Sequence, residues 1–210
     1  ALRTGLDKLP RGAWLHLPMA CEEATLQMLH RIVTDHAHKL GGVVLGSVGQ
    51  LGMRWPVPFG AGEGVPVMNR LAARFLLEQG CEFVTASGEL SAAELEKLLK
   101  HTMNVIVPAY GRAQLMLLHH CPARTYLGLR RGHASCRMCD EGSSDALAGT
   151  AFTDRRGVRF PLQRLRLPEG CLVRLMNSVP TDVLARVRSA GYTPLMTLCD
   201  EQGSALQAAV

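Results

Sequence analysis

A chain of 210 residues with 47% hydrophobic side chains can bury a sizeable core as one large domain or two small ones, and with 5% aromatics that core is aliphatic. No apolar run approaches the ~18 residues a membrane span needs, and the start has no signal-peptide pattern, so no membrane partner is expected. Seven cysteines, an odd count, argue against a secreted disulfide framework, and the net charge of +5 points to an acidic partner.

From the N-terminus, where Ala1 reads as the start of a processed or excised chain, Ala13–Leu17 has the pattern of a strand. Leu26, Leu29, Val33 and Leu40 then fall on one helical face over residues 21–40, with Gly41-Gly42 as the stop. Val43–Gly46 is the next strand, and the Gly- and Pro-rich residues 49–66 read as a loop. The spacing predicts a helix over 67–79 with Met68, Leu71, Phe75 and Leu76 on one face, ended by Gly80. Cys81–Thr85 is a strand, Ser91-Ala92-Ala93-Glu94 is a capping box opening a helix to about Lys100, and Asn104–Val107 is another strand. Alternating strands and helices at this spacing predict a parallel α/β sheet.

The order then changes. Tyr110–Ala113 is too short for a helical crossover, so Leu115–Leu118 is expected to pair as a hairpin with the strand before it. Residues 121–170 are irregular apart from a β-hairpin or turn over Phe152–Phe160 around Arg156-Gly157. Leu172–Met176 is a strand. Thr181 is placed to cap a helix through Ala190, with Val183, Leu184 and Val187 inward and Gly191 as the stop, and Tyr192–Leu198 closes the chain as a strand. The expected organisation is a βα half over 1–120, a cysteine- and arginine-rich module over 121–171, and a closing strand–helix–strand over 172–210.

Four cysteines carry the chemistry. Cys136 and Cys139 form a C-x-x-C pair, Cys121 follows the apolar run Leu115–Leu118, and Cys171 precedes Leu172–Met176. Four thiolates satisfy either Zn²⁺ or an iron–sulfur cluster, and spacing does not choose between them. Cys121 is expected at the C-terminal end of its strand, the edge where α/β sheets carry their sites. Cys21, Cys81 and Cys199 read as structural thiols. The compartment is read as reducing, hence cytoplasmic. Residues 111–170 hold ten arginines, five acids and no lysine, so they carry the whole excess charge. Arginine's planar fork suits phosphate, which makes a phosphate-rich partner the expected one, with Arg130, Arg131, Arg155 and Arg156 as candidate contacts, against the plainer reading of a solvated basic surface.

Other motifs are weaker. Gly60-Ala61-Gly62-Glu63-Gly64 reads as a tight loop rather than a phosphate cradle. His119-His120 are candidate neighbours of the metal, and Ser87 and Glu89 are candidates for acid–base work. There is no G-x-S-x-G, H-E-x-x-H or Walker motif.

The stretches VVLGSVGQLG, VPVMNRLAARFLLEQG, FVTASGELSAAEL, YGRAQLMLLHHCP, CRMC, FTDRRGVRFPL and CLVRLMNSVP, in that order over residues 40–200, resemble the collagenase-like peptidase family, unassigned-type peptidase family thirty-two. The resemblance implies the later half of a (β/α)₈-type, TIM-barrel-like fold plus a cysteine module, completed by a missing N-terminal half or another subunit. It implies that Cys121, Cys136, Cys139 and Cys171 are the ligands of a 4Fe–4S cluster, with zinc as the alternative. Better-understood members look like iron–sulfur proteins that support hydroxylation of RNA bases or of a quinone precursor, although the family is named for peptidase activity. Cys121 and Cys136 stand farther apart than the first two cysteines of some branches, and Tyr110-Gly111 replaces the His-Gly of several members, which marks a distinct branch. The expected function is an iron–sulfur-dependent enzyme or subunit modifying RNA. The alternatives are a peptidase and a non-catalytic zinc-stabilised module.

Overall fold

The computed structural model describes residues 9–126 and 150–198. The chain divides into two compact units, one of Ala1–Ala109 with Val183–Leu195 and one of Tyr110–Asp182 with Met196–Val210.

The first unit is α/β. Strands β1 (Trp14–His16), β2 (Gly42–Leu45), β3 (Phe59–Ala61), β4 (Cys81–Thr85) and β5 (Val105–Gly111) lie side by side in chain order, all parallel. Each parallel step needs a crossover. Helices α1 (Glu23–Asp35), α2 (Arg70–Glu78) and α3 (Ala92–His101) supply three of the four, and a single 3₁₀ turn, Val48–Gly52, serves between β2 and β3. Val43, Leu45, Ala61, Val84 and Val105 of the strands share one core with Leu29, Val33, Ala73, Leu76 and Leu98 of the helices. The sheet alternation therefore turns Trp14, Gly42, Gly60 and Phe83 to the other face. There the Trp14 and Phe83 rings meet at 5.1 Å. A Cβ on Gly42 would lie 2.5 Å from the Trp14 ring, and one on Gly60 would strike the Phe83 ring. The two glycines are thus the floor on which two aromatic rings rest.

Strand β3 corrects the loop expected over 49–66. Gly60 and Ala61 are buried inside the sheet, and the amide of Gly62 continues the ladder to the Leu45 carbonyl at 2.9 Å. Gly60 lies within β3, and Gly62-Glu63-Gly64 makes the tight turn expected there, the Val65 amide donating to the Gly62 carbonyl at 3.0 Å, with five residues between Gly64 and α2. The face expected for α2 is also corrected. Ala73 and Leu76 are buried, whereas Met68, Leu71 and Phe75 are exposed. The helix has two apolar stripes, and the one with the small Ala73 packs closest. Helix α1 stops at Asp35, short of the expected Leu40. By contrast, Cys81–Thr85 and the Ser91/Glu94 capping box form as the sequence predicts, the Glu94 carboxylate accepting from the Ser91 amide at 2.9 Å. Helix α5 (Leu184–Ser189) buries Val187 against Val107 and Ala109.

In the second unit, β6 (Gln114–Leu118), β7 (Ala151–Thr153), β8 (Arg159–Leu167) and β9 (Gly170–Met176) form an antiparallel sheet in the order β6-β9-β8-β7. Strand β6 does not make the hairpin with β5 that its short connection predicts. It pairs with β9, Leu118 opposite Val173, while Tyr110 and Gly111 of β5 pair with Asp182 and Thr181 of β10 (Thr181–Asp182). Strand β11 (Thr193–Thr197) pairs with β5 as well. The reversal is made by Gly111, at φ +113°, whose α-carbon abuts the Thr197 carbonyl too closely for any side chain. The Arg112 guanidinium donates to the carbonyls of Asn177, at 3.1 Å, and Ser178, fixing the strand ends. Thr181, expected as a helix cap, is a strand residue, and α5 starts after Val183, whose amide is held by the Ala109 carbonyl at 2.8 Å. The hairpin β7–β8 forms as expected, and a short helix, α4 (Pro122–Tyr126), follows Cys121.

Candidate functional site

The sheet of the second unit carries two of the four candidate thiols. Cys171 is the second residue of β9, and Cys121 follows the end of β6. Because Leu118 opposes Val173 in an antiparallel pair, the register counted forward brings the chain after β6 to the level of Cys171. Cys171, on β9, and Cys121, three residues beyond β6, therefore lie toward the same end of the sheet. Cys121 packs on the cluster of Leu162 and Val173 with Leu118 and Leu175, and Cys171 is two residues from Val173. Both thiols are free and half-buried. Directly opposite Cys171 on β8 is Arg166. Cys136 and Cys139, with Arg130 and Arg131, lie outside the described residues, and among the described residues no three His, Cys, Asp or Glu side chains gather as a metal site.

Cys121 lies three residues past the end of β6, and β6 belongs to the antiparallel sheet, so the rule about the carboxyl edge of parallel sheets does not reach it.

Arg155 and Arg156 stand elsewhere. They form the tip of the β7–β8 hairpin, where the Asp154 carboxylate accepts from the amides of Arg156, at 2.8 Å, and Val158, at 2.9 Å. Gly157, at φ +80°, completes the turn. Arg159 beside the turn and Arg166 beside Cys171 are seven residues apart on β8, roughly 23 Å at the rise of a strand. The arginine tip and the cysteine pair thus occupy opposite ends of the sheet.

The carboxyl edge of the parallel sheet holds an arrangement that sequence reasoning missed. Gln50 is 2% exposed. Its Oε1 accepts from the amides of Gly46 at 2.7 Å and Ser47 at 3.3 Å, and its Nε2 donates to the Pro18 carbonyl at 2.8 Å. One side chain thereby ties the turn after β1 to the turn after β2. The signal was legible as Ser47-Val48-Gly49-Gln50, a capping box at the entry to the stretch read as loop. His16 ends β1 at the same edge, with Nδ1 3.0 Å from the Leu17 carbonyl and Nε2 3.0 Å from where a Gly62 Cβ would stand. Ser87 and Glu89, expected as acid–base candidates, form a turn in which the Glu89 amide donates to the Ser87 hydroxyl at 3.3 Å.

No helix among the described residues is long and apolar enough to cross a membrane. Comparisons of the chain with protein-family models, with curated proteins and with solved structures find no match.

Proposed function

We propose that this protein is an iron–sulfur-dependent enzyme, or an enzyme subunit, acting in the hydroxylation or other modification of RNA in the reducing cytoplasm. The observation that supports the reading is that Cys121, just beyond β6, and Cys171, on β9, lie toward the same end of the antiparallel sheet, with Cys121 packed on the cluster of Val173. Half of the thiolate set thus lies toward one end of two paired strands, and such a placement fits a four-thiolate group better than two scattered thiols would. Cys136 and Cys139 complete the set in this proposal. A 4Fe–4S cluster held there would supply electron transfer. Arg166, opposite Cys171, would bring positive charge to the same end. The run of parallel strands in chain order, without reversal, supports a partial (β/α)-barrel as the scaffold, which another subunit or chain segment would complete.

The test is iron, zinc and acid-labile sulfide content, with an absorbance spectrum, on the full chain purified without oxygen. The reading expects about four irons and four sulfides per chain, with loss of both in Cys121→Ser and Cys171→Ser. About one zinc and no sulfide would replace it with the zinc-stabilised module. A folded, metal-free protein would overturn both.

A further inference from the structure

The β7–β8 hairpin has the composition and geometry of a platform for unpaired bases. Phe152 and Phe160 are register partners on adjacent antiparallel strands, so their Cβ atoms stand about 5 Å apart on one face. That face continues along β8 through Leu162, which is buried in the cluster with Val173, to Arg164 and Arg166. At its outer end the burial stops. Phe152 is 43% exposed, and every residue from Phe152 to Arg159 is exposed. An aromatic ring only half-covered at the end of a sheet whose middle is packed leaves a face open to a partner.

The charge beside it names the partner. The single acid of the tip, Asp154, spends its carboxylate on two backbone amides of its own turn. Arg155 and Arg156 remain as the outward charges, with no ion pair to a described residue. Aromatic rings on a sheet flanked by arginines take single-stranded nucleic acid, because every base has a face to stack and every step a phosphate to neutralise. An apolar peptide would leave the arginines without partners, and a duplex would hide its bases from the rings.

We infer that the hairpin Ala151–Phe160 binds an unpaired segment of RNA, with a base stacked on Phe152 beside Phe160 and phosphates on Arg155 and Arg156. This rests on the RNA reading above and adds its substrate class: a single strand, loop or bulge, gripped at the sheet end opposite Cys121 and Cys171.

The experiment is fluorescence anisotropy of the full chain with a labelled single-stranded oligoribonucleotide and with a duplex of equal length, over a range of salt. The wild type is expected to prefer the single strand. Phe152→Ala should weaken that binding about ten-fold or more, while Phe152→Trp should retain it. Arg155→Ala/Arg156→Ala should reduce the slope of log affinity against log salt by about 1.4, the value for two phosphates on a single strand. All three changes are on exposed positions, and an unaltered melting midpoint shows that the sheet is intact. If Phe152→Ala binds as tightly as the wild type, or the duplex is preferred, the inference is overturned while the RNA reading stands. If the wild type binds neither RNA at low salt, the RNA reading falls with it.

Discussion

Replacing Gln50 with leucine removes the link between the turns after β1 and β2 while keeping nearly the same volume. The change leaves the Gly46 amide and the Pro18 carbonyl without the partners they have at 2.7 and 2.8 Å. Each buried orphan costs about 1–3 kcal/mol. The Ser47 amide, at 3.3 Å and half-buried, adds less because water reaches it. Allowing for the apolar burial that leucine gains, the expected loss is about 3 kcal/mol. For a chain of this size that lowers the unfolding midpoint by roughly 6–12 °C, read by thermal melting followed by circular dichroism at neutral pH. Gln50→Glu is the informative companion. A protonated glutamic acid can both accept from Gly46 and donate to Pro18, whereas the buried carboxylate cannot donate and loses hydration. Its folded pKa is thus raised, so its stability is fully present below the unfolded value, about 4.3, and declines as pH rises from there. The melting deficit of Gln50→Glu should accordingly shrink as pH is lowered toward 4. A Gln50→Leu midpoint within a degree or two of the wild type would refute the reasoning, since it would mean that the orphaned groups are solvated.

Gly60→Ala should destabilise the protein by about 1–3 kcal/mol through overpacking against the Phe83 ring, and combining it with Phe83→Leu should recover part of the loss in a double-mutant cycle measured by urea unfolding. Burial pushes the Cys81 thiol up to about 11 from 9.0. The folded protein therefore favours the protonated thiol, and stability present below pH 9 should fall as pH rises toward 11, a decline that Cys81→Ala should flatten. Cys81 should also resist alkylation at pH 8 until the protein is unfolded. Asn69→Ala removes the side-chain oxygen that accepts from the amides of Leu71 and Ala72 at 3.0 Å each, and should cost about 1 kcal/mol in urea denaturation.

The sequence itself determined what short-range chemistry controls. The capping box at Ser91 and Glu94, the bounds of β4, the stop at Gly80 and the turn at Asp154–Gly157 each depend on residues within a few positions of one another. Their hydrogen-bond partners are local, so composition and spacing reveal them. The placement of Cys121 and Cys171 toward one end of one sheet was legible only in part. Both were seen beside strands, but which strands are neighbours is a long-range choice.

Tertiary structure alone decided the rest. Strand β3 has three residues, two prolines before it and a glycine within it. Nothing local favours a strand there, and it exists because β2 and β4 offer it hydrogen bonds on both sides. Helix α2 carries two apolar stripes of similar hydrophobicity, and only the sheet beneath it selects Ala73 and Leu76 over Leu71 and Phe75. Strand β6 takes a partner other than the one its short connection predicts, because such a connection favours a hairpin only when its turn lets the strands meet. Gly111 and Arg112 instead direct β5 to Thr181 and Asp182, and β6 to β9. Local propensity fixes which segments have regular structure; the burial of whole faces and the pairing of distant edges decide where each one goes.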